Sequence, residues 1–387
     1  MDPHLQSIRA QIQEASATRR PLRIRGSGSK DFYGHPQMAH QALELGGYSG
    51  IVNYEPSELY VSVRAGTPLA TVEAELARHQ QCLAFEPPHF HGQPGTCGGM
   101  VAAGLSGPAR ASVGSVRDYV LGVQMLNSQG ELLTFGGQVM KNVAGYDISR
   151  LMAGSLGILG VLTELSLKVL PVAPATATLV FEADQATALQ QLNRWGGMPL
   201  PLNASCWVRD DTAPGRPELL FVRLRGAVAA VDSASRLMLQ SLNGRLVDAQ
   251  QAEADWQKCR DHHLPFFQAP QSHTKEGSPV LWRMSVPQSA PPLNVPGEQL
   301  IEWHGAQRWL WAPWSAWDQI QQACAQAGGS ASVFRDPAGV HTRCRFAPLD
   351  PVMQGIHERL QAEFDPQHIF NPGRMYPSLS TGKRDAN

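Results

Sequence analysis

Pro94-Gly95-Thr96-Cys97-Gly98-Gly99-Met100-Val101-Ala102-Ala103-Gly104-Leu105-Ser106-Gly107-Pro108 is a run of fifteen residues, five of them Gly and most of the others small. Without Cβ atoms a backbone can run close to a flat or anionic ligand, and positive φ lets successive N–H groups converge. Met100 to Ala103 allows a short helix between two turns. Its N-terminus would add N–H donors and a dipole favourable to phosphate. Two tight turns around a packed Ala-rich helix explain the same residues equally well, so the flanks decide.

On the N-terminal side, a polar segment with Leu5, Ile8 and Ile12 at helical spacing precedes a short strand, Pro21 to Arg25, and then Gly26-Ser27-Gly28-Ser29-Lys30. A strand ending in a Gly/Ser loop with a basic flank suits a diphosphate. The loop is neither a Walker A sequence nor a Rossmann fingerprint, since Asp31 stands where the third Gly belongs. Two β-rich segments follow, Gly50 to Tyr54 and Leu59 to Gly66. Thr67 as N-cap and Pro68 at N1 then open an amphipathic helix to about His79, with Leu69, Val72 and Leu76 on one face. Together these read as a small βαβ-containing module. His89 and His91 lie in a Pro-rich loop as an H-x-H pair without an evident third ligand, so no metal is expected.

On the C-terminal side, Gly114 to Asp118 is a turn before a hairpin, Tyr119 to Leu126 and Glu131 to Phe135. A helical Ile148 to Met152, a Gly-rich turn Gly154 to Gly160 and a strand Val161 to Leu170 follow. Several separate Gly-rich turns beside strand or helix ends suggest an extended ligand held mainly by backbone.

Bulk properties narrow the class. The chain has 387 residues, a formal net charge of −1 and 17% charged residues, which implies two domains and argues against a nucleic-acid footprint. Its six Cys, at 82, 97, 206, 259, 324 and 344, form no C-x-x-C pair, which argues against a disulfide framework or an iron–sulfur nest and suits a reducing compartment. No apolar run is long enough to cross a bilayer, so a cytoplasmic location is expected, with membrane contact only through partners.

In order and spacing, Arg25 to Lys30, Pro94 to Gly99, Gly114 to Asp118, Gly154 to Gly160 with its strand, and the tail Phe364-Asp365-Pro366-Gln367-His368-Ile369-Phe370-Asn371-Pro372-Gly373-Arg374 resemble the FAD-contacting segments of the vanillyl-alcohol-oxidase (PCMH-type) flavoproteins. The tail is similar to that of the branch oxidising 2-hydroxy acids. Glu86 to Phe90, Ala103 to Pro108 and Phe135 to Asp147 resemble the FAD-binding E-subunit family of bacterial glycolate oxidases.

The resemblance implies an α+β fold: a two-subdomain FAD domain over 1–171, divided at about 90, a smaller α+β cap over 172–350, and a segment 351–387 returning to the FAD site. It implies FAD contacts at Arg25, Gly26, Ser27, Gly28, Ser29 and Lys30, with the diphosphate on the main-chain N–H groups of Gly26 to Ser29. Pro88, Pro94, Gly95, Thr96, Gly98, Gly99, Ala103, Gly104, Gly107, Gly114 and Asp118 would continue along it. Gly157, Gly160 and Val161 would face the adenosine half, and Asn371 the flavin end. Ser29 stands where some relatives carry a covalently linked His, so non-covalent FAD is implied. Leu156 and Ile158 replace a Glu and a Thr usual in the hydroxy-acid branch.

From Ala173 onward strands and helices alternate in the manner of an antiparallel α+β cap. Five of the nine Trp fall between 303 and 317, which favours core packing over a partner surface. The His-rich cap motifs of the catalytic relatives, G-E-H-G and H-x-G-D-G-N-x-H, are missing. His262, His263 and His304 are present without those surroundings, and Arg283, Arg308, Arg335, Arg343 and Arg345 are the candidates for holding a carboxylate; no catalytic residue is assigned. The expected function is an FAD-binding subunit of a glycolate oxidase or dehydrogenase complex, accessory or electron-relaying beside a homologous catalytic FAD subunit and an iron–sulfur subunit. The alternatives are a self-sufficient FAD-dependent 2-hydroxy-acid dehydrogenase and a scaffold with a vestigial flavin site.

Overall fold

The computed structural model of the chain describes residues 2–36, 41–90, 95–137, 147–270, 277–339 and 344–376. It divides into two units, one comprising Met1–Leu105, Ser115–Pro171 and Thr342–Asn387, the other Ser106–Gly114 and Val172–His341.

In the first unit, helix Pro3–Thr18 starts where the Asp2 carboxylate accepts from the His4 N–H at 2.9 Å, and it buries Leu5, Ile8, Ile12 and Ala15. Strand Leu22–Arg25 pairs in parallel with Gln41–Glu44 and bridges to Phe370 of the tail. A five-stranded antiparallel sheet runs in the order Ile51–Glu55, Tyr60–Arg64, Val161–Lys168, Val120–Leu126, Leu132–Gly136. Val61, Val63, Leu165, Leu167 and Met125 form its buried face, and helix Leu69–Arg78 adds Leu69, Val72 and Leu76 to the same core.

Two local expectations change. Thr67 is not the N-cap, because the helix begins at Leu69 after Pro68. The Thr67 hydroxyl instead accepts from the Gly50 N–H at 2.9 Å and donates to the Arg64 carbonyl at 2.7 Å, closing the strand end. Nor is this region a βαβ unit: the helix leads from the antiparallel sheet to a short strand, Gln81–Cys82, which pairs antiparallel with Leu170–Pro171.

The second unit is an eight-stranded sheet, antiparallel throughout, ordered Gly244–Leu246, Ala175–Glu182, Glu218–Gly226, Leu202–Arg209, Gln299–Glu302, Gln307–Ala312, Val280–Ser285, Ser330–Arg335. Helices Gln185–Gly196 and Val228–Ser241 bury Leu192, Trp195, Val231, Ala234 and Met238 against one half. Helix Trp317–Gln326 packs Ile320 and Cys324 against the other half. Trp303, Trp309 and Trp314 are buried, so the Trp-rich segment is core. Residues 106–114, expected in the first domain, group with this unit. The Trp303 indole N–H donates to the Gly107 carbonyl at 2.9 Å, and the Ser112 hydroxyl meets His304 Nε2 at 2.9 Å. Among the described residues, no helix is long and apolar enough to cross a membrane.

Candidate FAD-binding site

The strand Leu22–Arg25 ends in the loop from Gly26 to Lys30. Among the described residues, none of the five backbone N–H groups from Gly26 to Lys30 donates to a protein acceptor. Such a row of open donors is what an anion requires. Gly28 takes φ +78°, and a Cβ there would meet the Arg25 guanidinium, which is folded back onto Asp31 at 3.0 Å. A Cβ on Gly26 would run into the Thr96 hydroxyl. Gly26→Ala is therefore expected to displace the loop or Thr96 and to weaken FAD binding without unfolding the chain. FAD titration read against the unfolding midpoint of the apo chain checks this.

A cleft lies over this loop. The loop from Arg25 to Lys30, then Thr96, Gly98, Gly99 and Ala103, and finally Gly157, Gly160 and Asn371 line it. Ile24, Tyr33, Leu45, Ala65, Ala102, Leu156, Leu162 and Arg374 also line it and were not anticipated. Pro88, Gly95, Gly104, Asp118 and Val161 are not in its wall. Gly104 packs on Gly154, where a Cβ would stand 2.7 Å from the Gly154 Cα. Asp118 accepts from the Ser115 N–H at 2.8 Å as part of its own turn. Pro94 falls outside the described residues. Gly107 and Gly114 belong to the second unit.

The helix in the middle of the Gly-rich run exists, Cys97–Ala103, capped by Thr96. Its first donors are not open, contrary to expectation. The Cys97 N–H donates to Thr67 at 2.9 Å, the Gly98 N–H to Ala65 at 2.8 Å, and the Gly99 N–H to the Thr96 hydroxyl at 3.2 Å. Gly98 lets the helix lie this close, because a Cβ there would be 2.7 Å from that of Ala65. The helix thus forms wall, and the Gly26–Lys30 loop carries the open donors.

Arg25, Lys30 and Arg374 line the cleft; Arg25 is paired with Asp31, and the Lys30 ammonium stands 5.9 Å from the Phe90 ring centroid. The Lys30 ammonium has no carboxylate within ion-pair distance among the described residues, and burial pushes its pKa down to about 8. The buried Arg374 guanidinium donates to the Lys30 and Tyr33 carbonyls at 3.2 and 3.3 Å, while its Nε has no hydrogen-bond partner; burial lowers its pKa as well. Both gain from a bound anion.

Asn371 lines the cleft and also joins its walls. Its Oδ1 accepts from the Ile24 N–H at 2.8 Å and its Nδ2 donates to the Leu156 carbonyl at 2.7 Å. Its own N–H donates to the Leu22 carbonyl at 2.9 Å. The side chain joins the loop-bearing strand to the Gly154–Gly160 turn, with both polar atoms engaged. Leu156, at φ +52°, docks that turn on the central helix through its N–H to the Ala102 carbonyl at 2.8 Å.

In the second unit two of the nominated histidines, His262 and His304, are core groups, and His263 is exposed. His304 bonds Ser112 and Ser205 through its two ring nitrogens at 2.9 and 3.1 Å, and burial pushes its pKa down to about 4. His262 stacks on Phe267 with centroids 4.0 Å apart, and burial takes its pKa well below the ordinary value. The Arg308 guanidinium donates to the Gly305, Pro291 and Ala290 carbonyls. Arg335 donates to the Phe267 carbonyl, and Arg345, in the first unit, to the Phe32 carbonyl. Arg343 lies outside the described residues. In the His89/His91 loop, His89 pairs with Glu73 at 2.9 Å, and His91 is outside the described residues.

Residues 4–136 match the family model described as an FAD binding domain. The fold is similar to p-cresol methylhydroxylase with substrate bound, at TM-score 0.68 and 12% identity, covering 97% of this chain and 88% of that one. It is likewise similar to 4-ethylphenol oxidase from Gulosibacter chungangensis, at TM-score 0.64 and 14% identity with the same coverage of the two chains. Fold and cleft define an FAD-binding protein of the α+β, PCMH-type fold. The chain is 44% identical over 374 residues to glycolate oxidase subunit GlcE of Escherichia coli K12, spanning 97% of this chain and 98% of that protein. It is 30% identical to glycolate oxidase subunit GlcD of Bacillus subtilis over 43% of this chain and 35% of that protein. The chain belongs to the glycolate oxidase subunit GlcE family, and its cofactor is FAD.

Proposed function

We propose that this chain is the FAD-carrying subunit of an assembly that oxidises glycolate to glyoxylate, accessory or electron-relaying beside a homologous catalytic flavoprotein and an iron–sulfur subunit. Bound FAD supplies a two-electron acceptor. The chain's own residues bind and orient it. The open N–H groups from Gly26 to Ser29 take the diphosphate, and Lys30 and Arg374 balance its charge. Gly157 and Gly160 lie beside the adenosine half, and Asn371 lines the cleft and positions its walls. With Ser29 in the first loop, the cofactor is dissociable. The complex would meet a membrane only through its partners.

The observation that carries the accessory role is the state of two cap histidines, His262 and His304. Oxidation of a hydroxy acid removes a hydride from carbon and a proton from oxygen, so a base must reach the hydroxyl. His262 and His304 are buried and held in the cap core. The test is anaerobic mixing of the purified, FAD-loaded chain with glycolate. The flavin bands are expected to persist with this chain alone and to bleach once the flavoprotein and iron–sulfur partners are added. Bleaching by the single chain at the rate of the assembly would overturn the accessory role.

A further inference from the structure

Helix Ala249–Arg260 buries Ala252, Trp256 and Cys259, whose spacing puts them on one face. The Trp256 indole N–H donates to the Thr178 hydroxyl of strand Ala175–Glu182 at 3.0 Å, which fixes the ring on the sheet. Ala252 and Cys259 are small, and both line a cavity of about 410 Å³ within the second unit. Ligand sites usually enclose roughly 300–1,000 Å³. Strands Leu202–Arg209 and Glu218–Gly226 and residues 264–266 supply further wall. The cavity shares no lining residue with the FAD cleft.

Its large apolar side chains are Val208, Phe221, Val247, Trp256, Leu264 and Phe266. Its charged residues are Arg209, Asp210, Asp211, Asp255 and Lys258. All but Asp210 are ion-paired. Arg209 holds Glu218 and Glu298 at 2.6 and 2.7 Å, Arg216 holds Asp211 at 2.6 Å, and Lys258 holds Asp255 at 3.2 Å. Asp210 has no cation at ion-pair distance among the described residues. Its Oδ1 accepts from the Thr212 N–H at 2.9 Å and from the Thr212 hydroxyl at 2.6 Å. Its Oδ2 accepts from no protein donor among the described residues. With the pairing partners included, five carboxylates stand with three cations, so the field at this wall is negative. Arg223 already lies 4.9 Å from the Trp256 ring centroid, so the indole offers apolar surface and not a second cation site. Apolar walls, polar groups already paired and one open carboxylate oxygen select a molecule that is apolar over most of its length and carries a single positive charge.

We propose that this cavity binds a small monocationic amine with an apolar body. The ammonium donates to Asp210 Oδ2, and the body lies against Val208, Phe221 and Trp256. The same carboxylate repels anions. The site does not depend on the function proposed above.

The test is calorimetric titration of the FAD-loaded full-length chain with 2-phenylethylamine, 2-phenylethanol and 3-phenylpropionate, which share a body and differ in charge. The amine is expected to bind at least about tenfold tighter than the alcohol, the effect of one charge-assisted hydrogen bond at a partly exposed carboxylate. The acid is expected to bind more weakly than either. Asp210→Asn keeps the Oδ1 acceptor for Thr212; it should bring the amine down to the alcohol and leave the alcohol unchanged. Val208→Trp fills the cavity and should abolish binding of both. FAD affinity should not move in either variant. Should Val208→Trp fail to fold, Val247→Phe serves, with loss of both ligands expected. Equal wild-type affinity for amine and alcohol, an amine preference that survives Asp210→Asn, amine binding undiminished in the filled cavity, or no amine binding at all would overturn the site.

Discussion

Lys30→Met is expected to weaken FAD binding by roughly ten- to a hundredfold, the range of one charge-assisted hydrogen bond. Wild type should show a pH profile that the variant lacks. In the free chain the Lys30 ammonium is buried, with no carboxylate at ion-pair distance among the described residues, and burial lowers its pKa to about 8. A diphosphate beside it favours the charged form and raises the pKa in the complex. Binding then takes up a proton wherever the pH lies above the free value. Affinity is therefore full below about pH 8 and falls as pH rises, by at most about tenfold per unit, until the bound pKa is reached. Flavin fluorescence titrations of the apo chain between about pH 6 and pH 10 span both regimes. A flat wild-type profile, or a variant that keeps the wild-type slope, would show that Lys30 does not face the phosphate.

The second large effect is expected at Asn371. Replacing it by Ala removes the partners of the Ile24 N–H and the Leu156 carbonyl at once. Leaving a buried polar group unpaired costs about 1–3 kcal/mol. Two such groups come to roughly 2–6 kcal/mol, a large share of the roughly 5–15 kcal/mol that holds a domain together. The apo chain should lose stability by denaturant titration, and FAD affinity should fall with it because the strand and the turn it joins are two walls of the cleft. Asn371→Asp separates the two bonds. It keeps the acceptor for Ile24 but sets a carboxylate oxygen against the Leu156 carbonyl, so it should be no better than Ala. An Asn371→Ala chain as stable as wild type would show that the clasp is not needed. Gly157 belongs to the same joint: it takes φ +74°, and a Cβ there would be 2.7 Å from Asn371 Nδ2.

What the sequence made legible were features that repeat within a few residues. The Gly26–Lys30 loop was readable because glycine and serine after a strand have a local backbone meaning. The alternation in Val161 to Leu167 and the hairpin at Asn127 to Gly130 were readable for the same reason. The part of Asn371 was not, because its partners lie 347 and 215 residues away and no local pattern encodes them. Arg374 was passed over as the end of a tail motif, since nothing in sequence tells a buried guanidinium from a surface one. The central helix looked like an anion site because its N-terminal dipole is a property of sequence, whereas the engagement of its donors by Thr67 and Ala65 is a property of packing. Residues 106–114 carry no helical or strand period, so their place beside Trp303 and His304 could not be inferred. Helix Ala249–Arg260 escaped notice because its buried face is only Ala252, Trp256 and Cys259 among Gln, Asp, Glu and Lys.

The measurement that bears most directly on the central claim is titration of the purified apo chain, without partners, with FAD at neutral pH. The account expects saturation at one FAD per chain and recovery of the apo chain on dialysis. It also expects weakened binding in Lys30→Met and Gly26→Ala. A chain that takes up no FAD in excess cofactor, or one whose affinity is untouched by both substitutions, would contradict the claim that the Gly26–Lys30 cleft is the cofactor site.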